Sequence, residues 1–211
     1  MQPFNTHTGI IATLDRANVD TDQIIPKQFL KSIRRTGFES GLFFDWRFRP
    51  DGSPDPAFEL NAPALRGASV LVARNNFGCG SSREHAVWAI QQYGFRAVIA
   101  PWADRGGARV PAFADIFRNN AGKNGLLTIE LPPGDVDRIF AAAARQPGVC
   151  ADVDLAAQTV TVQSHPPGIF RFDIEPSLKE KLLNGVDDIA ATLAYEDRIT
   201  AFERTHDVQR V

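Results

Sequence analysis

Ala68-Ser69-Val70-Leu71-Val72-Ala73-Arg74-Asn75-Asn76-Phe77-Gly78-Cys79-Gly80-Ser81-Ser82-Arg83-Glu84-His85-Ala86 is the stretch that decides the fold. Its first six residues form a compact apolar run of strand length with β-branched content, suited to a strand buried on both faces. A glycine-rich loop follows. From Ser82 to Tyr93, the residues Ala86, Val87, Ile90 and Tyr93 share one face of a helix that Gly94 stops. Ala97-Val98-Ile99-Ala100 then resumes a strand. Strand, helix and strand within residues 68–100 make a βαβ unit, with parallel strands joined by a right-handed crossover. The loop leaves the carboxyl end of the first strand, where open α/β sheets bind their ligands.

Upstream, Gly9 to Leu14 is an apolar start, and Asn18-Val19-Asp20-Thr21-Asp22-Gln23-Ile24-Ile25-Pro26 favours turns over helix. Lys27 to Thr36 suits a short basic helix ended by Gly37, and Asp51-Gly52-Ser53-Pro54-Asp55-Pro56 reads as a surface loop. Downstream, Phe113, Ile116 and Phe117 mark a helix ending near Gly122, and Leu126 to Leu131 a strand. Val136, Ile139, Phe140 and Ala143 mark a further helix. Val160 and Val162, then Phe170, Phe172 and Ile174, alternate as half-buried strands do. A helical tail over about 177–205 completes an α/β chain read as a single domain over residues 1–211.

Composition narrows the function classes. With 44% hydrophobic and 23% charged residues, the chain of 211 residues is an ordinary globular sequence able to bury its own core. Its 23 basic and 25 acidic residues leave no positive field for nucleic acid or an anionic membrane. No stretch approaches the roughly 18 apolar residues of a membrane span, and Met1 to Ile10 carries no leader pattern, so a cytoplasmic protein is expected. Cys79 and Cys150 offer neither a CxxC pair nor a disulfide framework, and both are expected to be reduced thiols.

The loop Gly78 to His85 lacks GxSxG, lacks GxxxxGK[ST], and lacks the third glycine of a dinucleotide fingerprint. Gly78 and Gly80 permit positive φ and close approach of a ligand, and Ser81 and Ser82 sit where the helix begins. Ser81-x-x-Glu84 has capping-box spacing, which is the structural alternative to a site. Arg83 beside the two hydroxyls argues for chemistry, because its guanidinium can clamp a carboxylate while helix amides stabilise a serine oxyanion. A serine alkoxide of that kind can take a proton from carbon if a Lewis acid stabilises the product. This chain cannot build a four-iron cluster from two cysteines, and His7, His85, His165 and His206 show no ligand spacing, so it is expected to bind no metal. Packing is the expected role of both Cys79 and His85.

Asn76 to Ala86 resembles the signature of the small, swivelling domain of aconitase-type hydro-lyases. Leu14 to Leu30, Gly41-Leu42-Phe43-Phe44-Asp45-Trp46-Arg47, Leu183-Asn184-Gly185-Val186-Asp187-Asp188-Ile189 and Glu196-Asp197 are similar to the bacterial isopropylmalate dehydratase small-subunit branch of that superfamily. The resemblance implies a three-layer β/β/α swivelling domain with a mixed sheet or barrel. It also implies docking on a large subunit that carries a four-iron four-sulfur cluster, and interconversion of 2- and 3-isopropylmalate through isopropylmaleate in leucine biosynthesis. By motif position it makes Ser81 similar to the serine base, Ser82 and Arg83 to the groups that bind substrate carboxylate, and Asp22, with Thr21 beside it, to the Thr-Asp loop. Arg34 to Asp45 resembles the region that distinguishes substrates, although Phe43, Phe44 and Trp46 there are expected to pack.

Two stretches depart from the family. Trp102 to Pro111 reads as a ten-residue insertion, expected to be a surface loop on the same side of the sheet as Ser81. Asn119 to Gly125 lacks the cysteine and aromatic residue often placed before Lys-Asn-Gly. Two alternatives stay open: a paralogous hydro-lyase small subunit for another small dicarboxylate, such as citraconate or a methylated malate, and a non-catalytic anion-binding module.

Overall fold

The computed structural model describes residues 1–31 and 35–206. It opens with strand β1 (Thr6–Leu14), and two single helical turns, α1 (Thr21–Ile24) and α2 (Phe44–Arg47), interrupt the loops that follow. Next come β2 (Val70–Ala73), α3 (Glu84–Tyr93) and β3 (Ala97–Pro101), the βαβ unit expected from the pattern of apolar residues. A small hairpin, β4 (Ala103–Arg105) and β5 (Ala108–Val110), precedes α4 (Asp115–Asn124), β6 (Leu127–Leu131) and α5 (Pro133–Arg145). The chain ends with β7 (Cys150–Asp154), β8 (Thr159–Val162), β9 (Gly168–Arg171), α6 (Pro176–Asn184), α7 (Asp188–Leu193) and α8 (Glu196–Thr205).

Seven strands form one mixed sheet in the order β6-β3-β2-β1-β7-β8-β9. β1 is its seam. On one side it pairs parallel with β2, Ile11 opposite Val70 and Leu14 opposite Ala73, and β3 and β6 continue the parallel half. On the other side its first residues pair antiparallel with β7, Thr6 opposite Asp154 and Ile10 opposite Cys150, and β8 and β9 follow as a meander.

Alternation along the strands divides the core. Leu71, Ala73, Val98 and Ala100 face α3 and α4 with Ala86, Val87, Ile90 and Phe117. Val70, Val72, Ala97 and Ile99 face the other way, toward Val136 and Ile139 of α5. Val153, Val160, Val162 and Phe170 of the antiparallel half belong to that second cluster, so the sheet curls back over α5. This is the α/β architecture the sequence implied. Since β2 and β3 are buried on both faces, neither shows alternating polarity, as expected for parallel strands under two layers.

The structure revises several local readings. Asp20 caps a helical turn at Thr21–Ile24, where turn-forming residues had favoured a loop. Lys27–Lys31 is a 3₁₀ turn, and the expected basic helix extends into Ser32 to Arg34, which lie outside the described residues. The insertion forms the β4–β5 hairpin rather than an irregular loop. β7 had no counterpart in the sequence reading, because Cys150-Ala151-Asp152-Val153-Asp154 mixes its alternation with acidic residues. Ile116, expected on the apolar face of α4, is exposed. Among the described residues, no helix is long and apolar enough to cross a membrane.

Candidate active site

Because β1 and β2 run parallel, the loops leaving their carboxyl ends emerge side by side. Backbone hydrogen bonds carry the pairing beyond the strands: Asn18 N to Asn75 O at 3.0 Å, Gly78 N to Val19 O at 2.8 Å and Thr21 N to Cys79 O at 2.9 Å. Asn18 and Asn76 both take the left-handed conformation, and the Asn76 amide donates to Asn18 Oδ1 at 2.9 Å. Asparagine tolerates that conformation better than other residues with a Cβ.

The glycines let the loop pack this closely. Gly78 has φ +76°, and a Cβ there would lie 2.2 Å from the Phe117 ring. Gly80 has φ +88° and faces Asp20 and Thr21, where a Cβ would make an ordinary 3.4 Å contact. Loop and α4 are therefore pressed together at Gly78, and loop and α1 meet at Gly80.

α1 brings the Thr-Asp pair to the loop. Asp20 Oδ1 accepts from Gln23 N at 2.8 Å and Gln23 Oε1 accepts from Asp20 N at 2.9 Å, a reciprocal cap that fixes the turn. Thr21 is 2% exposed, and its hydroxyl donates to Ser81 O at 3.1 Å, holding the loop from behind. Asp22 forms an ion pair with Arg83, whose side chain is 14% exposed against 42% for the carboxylate. Thr21, Asp22, Ser81 and Arg83, distant in sequence, thus meet on one surface.

Ser81 and Ser82 are exposed, and among the described residues neither hydroxyl has a hydrogen-bond partner. The first helical residue of α3 is Glu84, with Arg83 in the cap position and no side-chain cap. The helix starts two residues later than the pattern implied, and the serines lie ahead of it. The capping box is absent because Glu84 Oε1 accepts from Asn124 Nδ2 of α4 at 2.8 Å instead. The serine hydroxyls are left to face outward beside Arg83.

The remaining candidates pack. His85 lies edge-on between Phe38, at 5.1 Å between ring centroids, and Trp88, at 4.9 Å. Phe43 is buried and stacks on Trp46, and Phe44 meets Phe29 and Phe48. Arg34, at the start of the substrate-distinguishing stretch, lies outside the described residues. Burial pushes the Cys79 thiol above its ordinary range, and the charge of Asp20 adds to the effect. Both cysteines are free, and Cys150 pairs with Ile10, four residues before β1 ends. At about 3.3 Å per residue that is roughly 13 Å from the loop end of the strand. A protonated thiol and a distant second cysteine do not fit a cluster-binding set. No group of three or more His, Cys, Asp or Glu among the described residues could hold a metal ion.

Asp20 supports this surface as a helix cap, and the spacing Asp20-x-x-Gln23 is the sequence signal for it. The Asn18–Asn76 contact had no comparable signal. Two clefts, of ≈ 380 and ≈ 590 Å³, run along β6 and residues 172–175 and share Arg118 and Glu130. Neither is lined by the loop from Gly78 to His85.

Residues 1–134 match the aconitase C-terminal domain family. The chain is 58% identical over 203 residues to a 3-isopropylmalate dehydratase small subunit of Desulforapulum autotrophicum, covering 96% of this chain and 95% of that protein. It is 55% identical over 205 residues to one of Rhodopirellula baltica, covering 96% and 98%. A crystal structure of 3-isopropylmalate dehydratase from Methanocaldococcus jannaschii superposes with a TM-score of 0.64 at 26% identity, covering 94% of this chain and 99% of that one.

Proposed function

The chain belongs to the aconitase C-terminal domain family, and from that premise we propose how it takes part in catalysis. It is the small subunit of a hydro-lyase of leucine biosynthesis, interconverting 2- and 3-isopropylmalate by dehydration and rehydration through isopropylmaleate. The small subunits that match it over 96% of its length, at 55% and 58% identity, carry the substrate assignment and disfavour the paralogue and the non-catalytic module.

In this reading Ser81 is the base. Its alkoxide takes the proton from the carbon beside a substrate carboxylate while the hydroxyl leaves the neighbouring carbon as hydroxide, for which a Lewis acid on the large subunit would be the acceptor. On rehydration Ser81 returns the proton to carbon as hydroxide adds back. Ser82 and Arg83 hold the substrate carboxylate, with Arg83 oriented by Asp22, and Thr21 fixes the backbone of Ser81. The observation that carries this assignment is the pair of exposed, unpartnered hydroxyls beside a guanidinium that is already held in place. An arginine held this way loses less entropy when it clamps a carboxylate.

The family's four-iron four-sulfur cluster does not fit this chain's donors, and we assign it to the large subunit, which also supplies the rest of the site. In this reading the whole enzyme works in the cytoplasm.

Co-expression with a large subunit from the same source, followed by assay on a panel of unsaturated diacids, tests the reading. The chain alone should be inactive and the complex active on isopropylmaleate; activity confined to citraconate would reassign the substrate. In the complex, Ser81→Ala should lower kcat by about 10³-fold or more without preventing assembly. Turnover unchanged by that substitution refutes the base.

A further inference from the structure

The insertion Trp102 to Pro111 has no part in the chemistry above, yet it leads directly into the support of the catalytic loop. After β5, Pro111 O accepts from Asn76 N at 3.1 Å, Ala112 O accepts from Phe77 N at 2.9 Å, and Phe77 O accepts from Ala114 N at 3.0 Å. Phe77 and Phe113 form a parallel bridge, and the Phe77 ring meets Phe117 edge-on at 5.3 Å. Phe77 immediately precedes Gly78. The segment that leaves the hairpin is therefore the backbone rail on which the loop's first residues lie.

One side chain joins hairpin and rail. Glu130, near the carboxyl end of β6, pairs through Oε1 with Arg109 on β5 and through Oε2 accepts from Ala112 N at 3.2 Å. Arg109 also stacks over Trp102, its guanidinium carbon 4.8 Å from the ring centroid, so entry and exit of the hairpin are gathered on one residue. The Arg109 side chain is 61% exposed, and exposed ion pairs add little to global stability. The pair is better suited to setting position than to holding the fold together.

We propose that Glu130 is a positioning residue: with Arg109 it fixes the rail Pro111–Ala114, and through Ala112 and Phe77 it sets where Ser81 stands. The inference rests on the reading of Ser81 as the base. It also predicts which kinetic constant responds. Of the carboxylate-binding pair, Arg83 is held separately, by α3 and by Asp22, whereas Ser81 sits on the loop that the rail supports together with Thr21, so a displaced rail moves the base more than the guanidinium.

The test uses the assembled two-subunit enzyme. Glu130→Ala should lower kcat by about tenfold or more, as a displacement of roughly 1 Å does, with KM changed by less than about threefold. Glu130→Gln keeps an acceptor for Ala112 N and should recover most of the lost rate. Arg109→Ala, on an exposed side chain and therefore safe for folding, should fall between wild type and Glu130→Ala. A folded, assembled Glu130→Ala enzyme with unchanged kcat overturns the proposal. So does a loss of rate that follows weakened binding of the large subunit, which would make the hairpin a docking element. Ser81→Ala run alongside separates the two levels. If it abolishes turnover while Glu130→Ala does nothing, only the positioning role fails; if it does nothing, the base reading fails and the positioning role with it.

Discussion

At the scale of single residues, the loop from Gly78 to Ser82 is shaped by what its neighbours allow. Gly78 and Gly80 both have positive φ, but a Cβ at Gly78 would meet the Phe117 ring at 2.2 Å and one at Gly80 would touch Asp20 at 3.4 Å. Gly80→Ala should therefore cost only the left-handed backbone penalty, about 1–2 kcal/mol. Gly78→Ala adds overpacking against a buried ring and should cost about 2–5 kcal/mol. Chemical denaturation of both variants checks the order, and equal losses would mean that Phe117 is not the constraint. The positive φ of the two glycines was legible in the sequence because residue type carries it, and residue type and spacing were also what put Ser81 and Arg83 forward as candidates. Asn76 and Asn18 were not, since their contact depends on two loops brought together by strands far apart in sequence. The partner of Glu84 was hidden for the same reason: its spacing from Ser81 offered a local cap as the alternative to a site, and only the tertiary contact with Asn124 shows where its carboxylate goes.

Among the elements, the βαβ unit was readable because a fully buried strand leaves an unbroken apolar run and a helix leaves its own period. The single turn α1 was not readable from periodicity, since four residues are too few to show one. Its existence depends on Asp20, whose carboxylate accepts from Gln23 N while the Gln23 side chain accepts from Asp20 N. Asp20→Ala should cost about 1 kcal/mol of stability. Because that turn carries Asp22 to Arg83, the same substitution should also raise KM in the assembled enzyme more than it lowers kcat. Asp20→Asn keeps the acceptor and should stay near wild type in both measurements. A normal KM for Asp20→Ala would mean that Arg83 holds its position without the capped turn. The hairpin shows the opposite limit of sequence reading. Two glycines and polar neighbours marked Trp102 to Pro111 as surface, correctly, but its pairing and its anchor on Glu130 depend on β6, more than twenty positions away.

Over the whole molecule, β1 joins the parallel half to the antiparallel half, and its two pairings were the part of the topology least visible in sequence. Gly9 to Leu14 showed a strand, but not that Ile11 to Leu14 would pair with β2 while Thr6 to Ile10 pair with β7. His7 lies at this seam. Its Nε2 lies 2.7 Å from Ser69 Oγ, just before β2, and Ser69 N donates to Ile10 O at 3.1 Å. Burial, and after it the charge of Arg96, pushes the His7 pKa below its ordinary value. The folded protein therefore binds this proton less tightly than the unfolded chain does, so stability rises with pH through the window below the ordinary histidine value of about 6.5. The contribution is complete above that value and is lost as pH falls through the window. Asp152, Glu175 and Asp187, held below the ordinary carboxylate range by hydrogen bonds, act with the same sign but in a more acidic window. Thermal melts between about pH 7.5 and 5 should thus show a falling Tm that belongs mainly to His7. His7→Gln, which retains a partner for Ser69 but cannot titrate, should flatten that slope while leaving the carboxylate-driven loss at lower pH in place. An unchanged slope in the variant would remove His7 as the cause and shift attention to groups away from the seam.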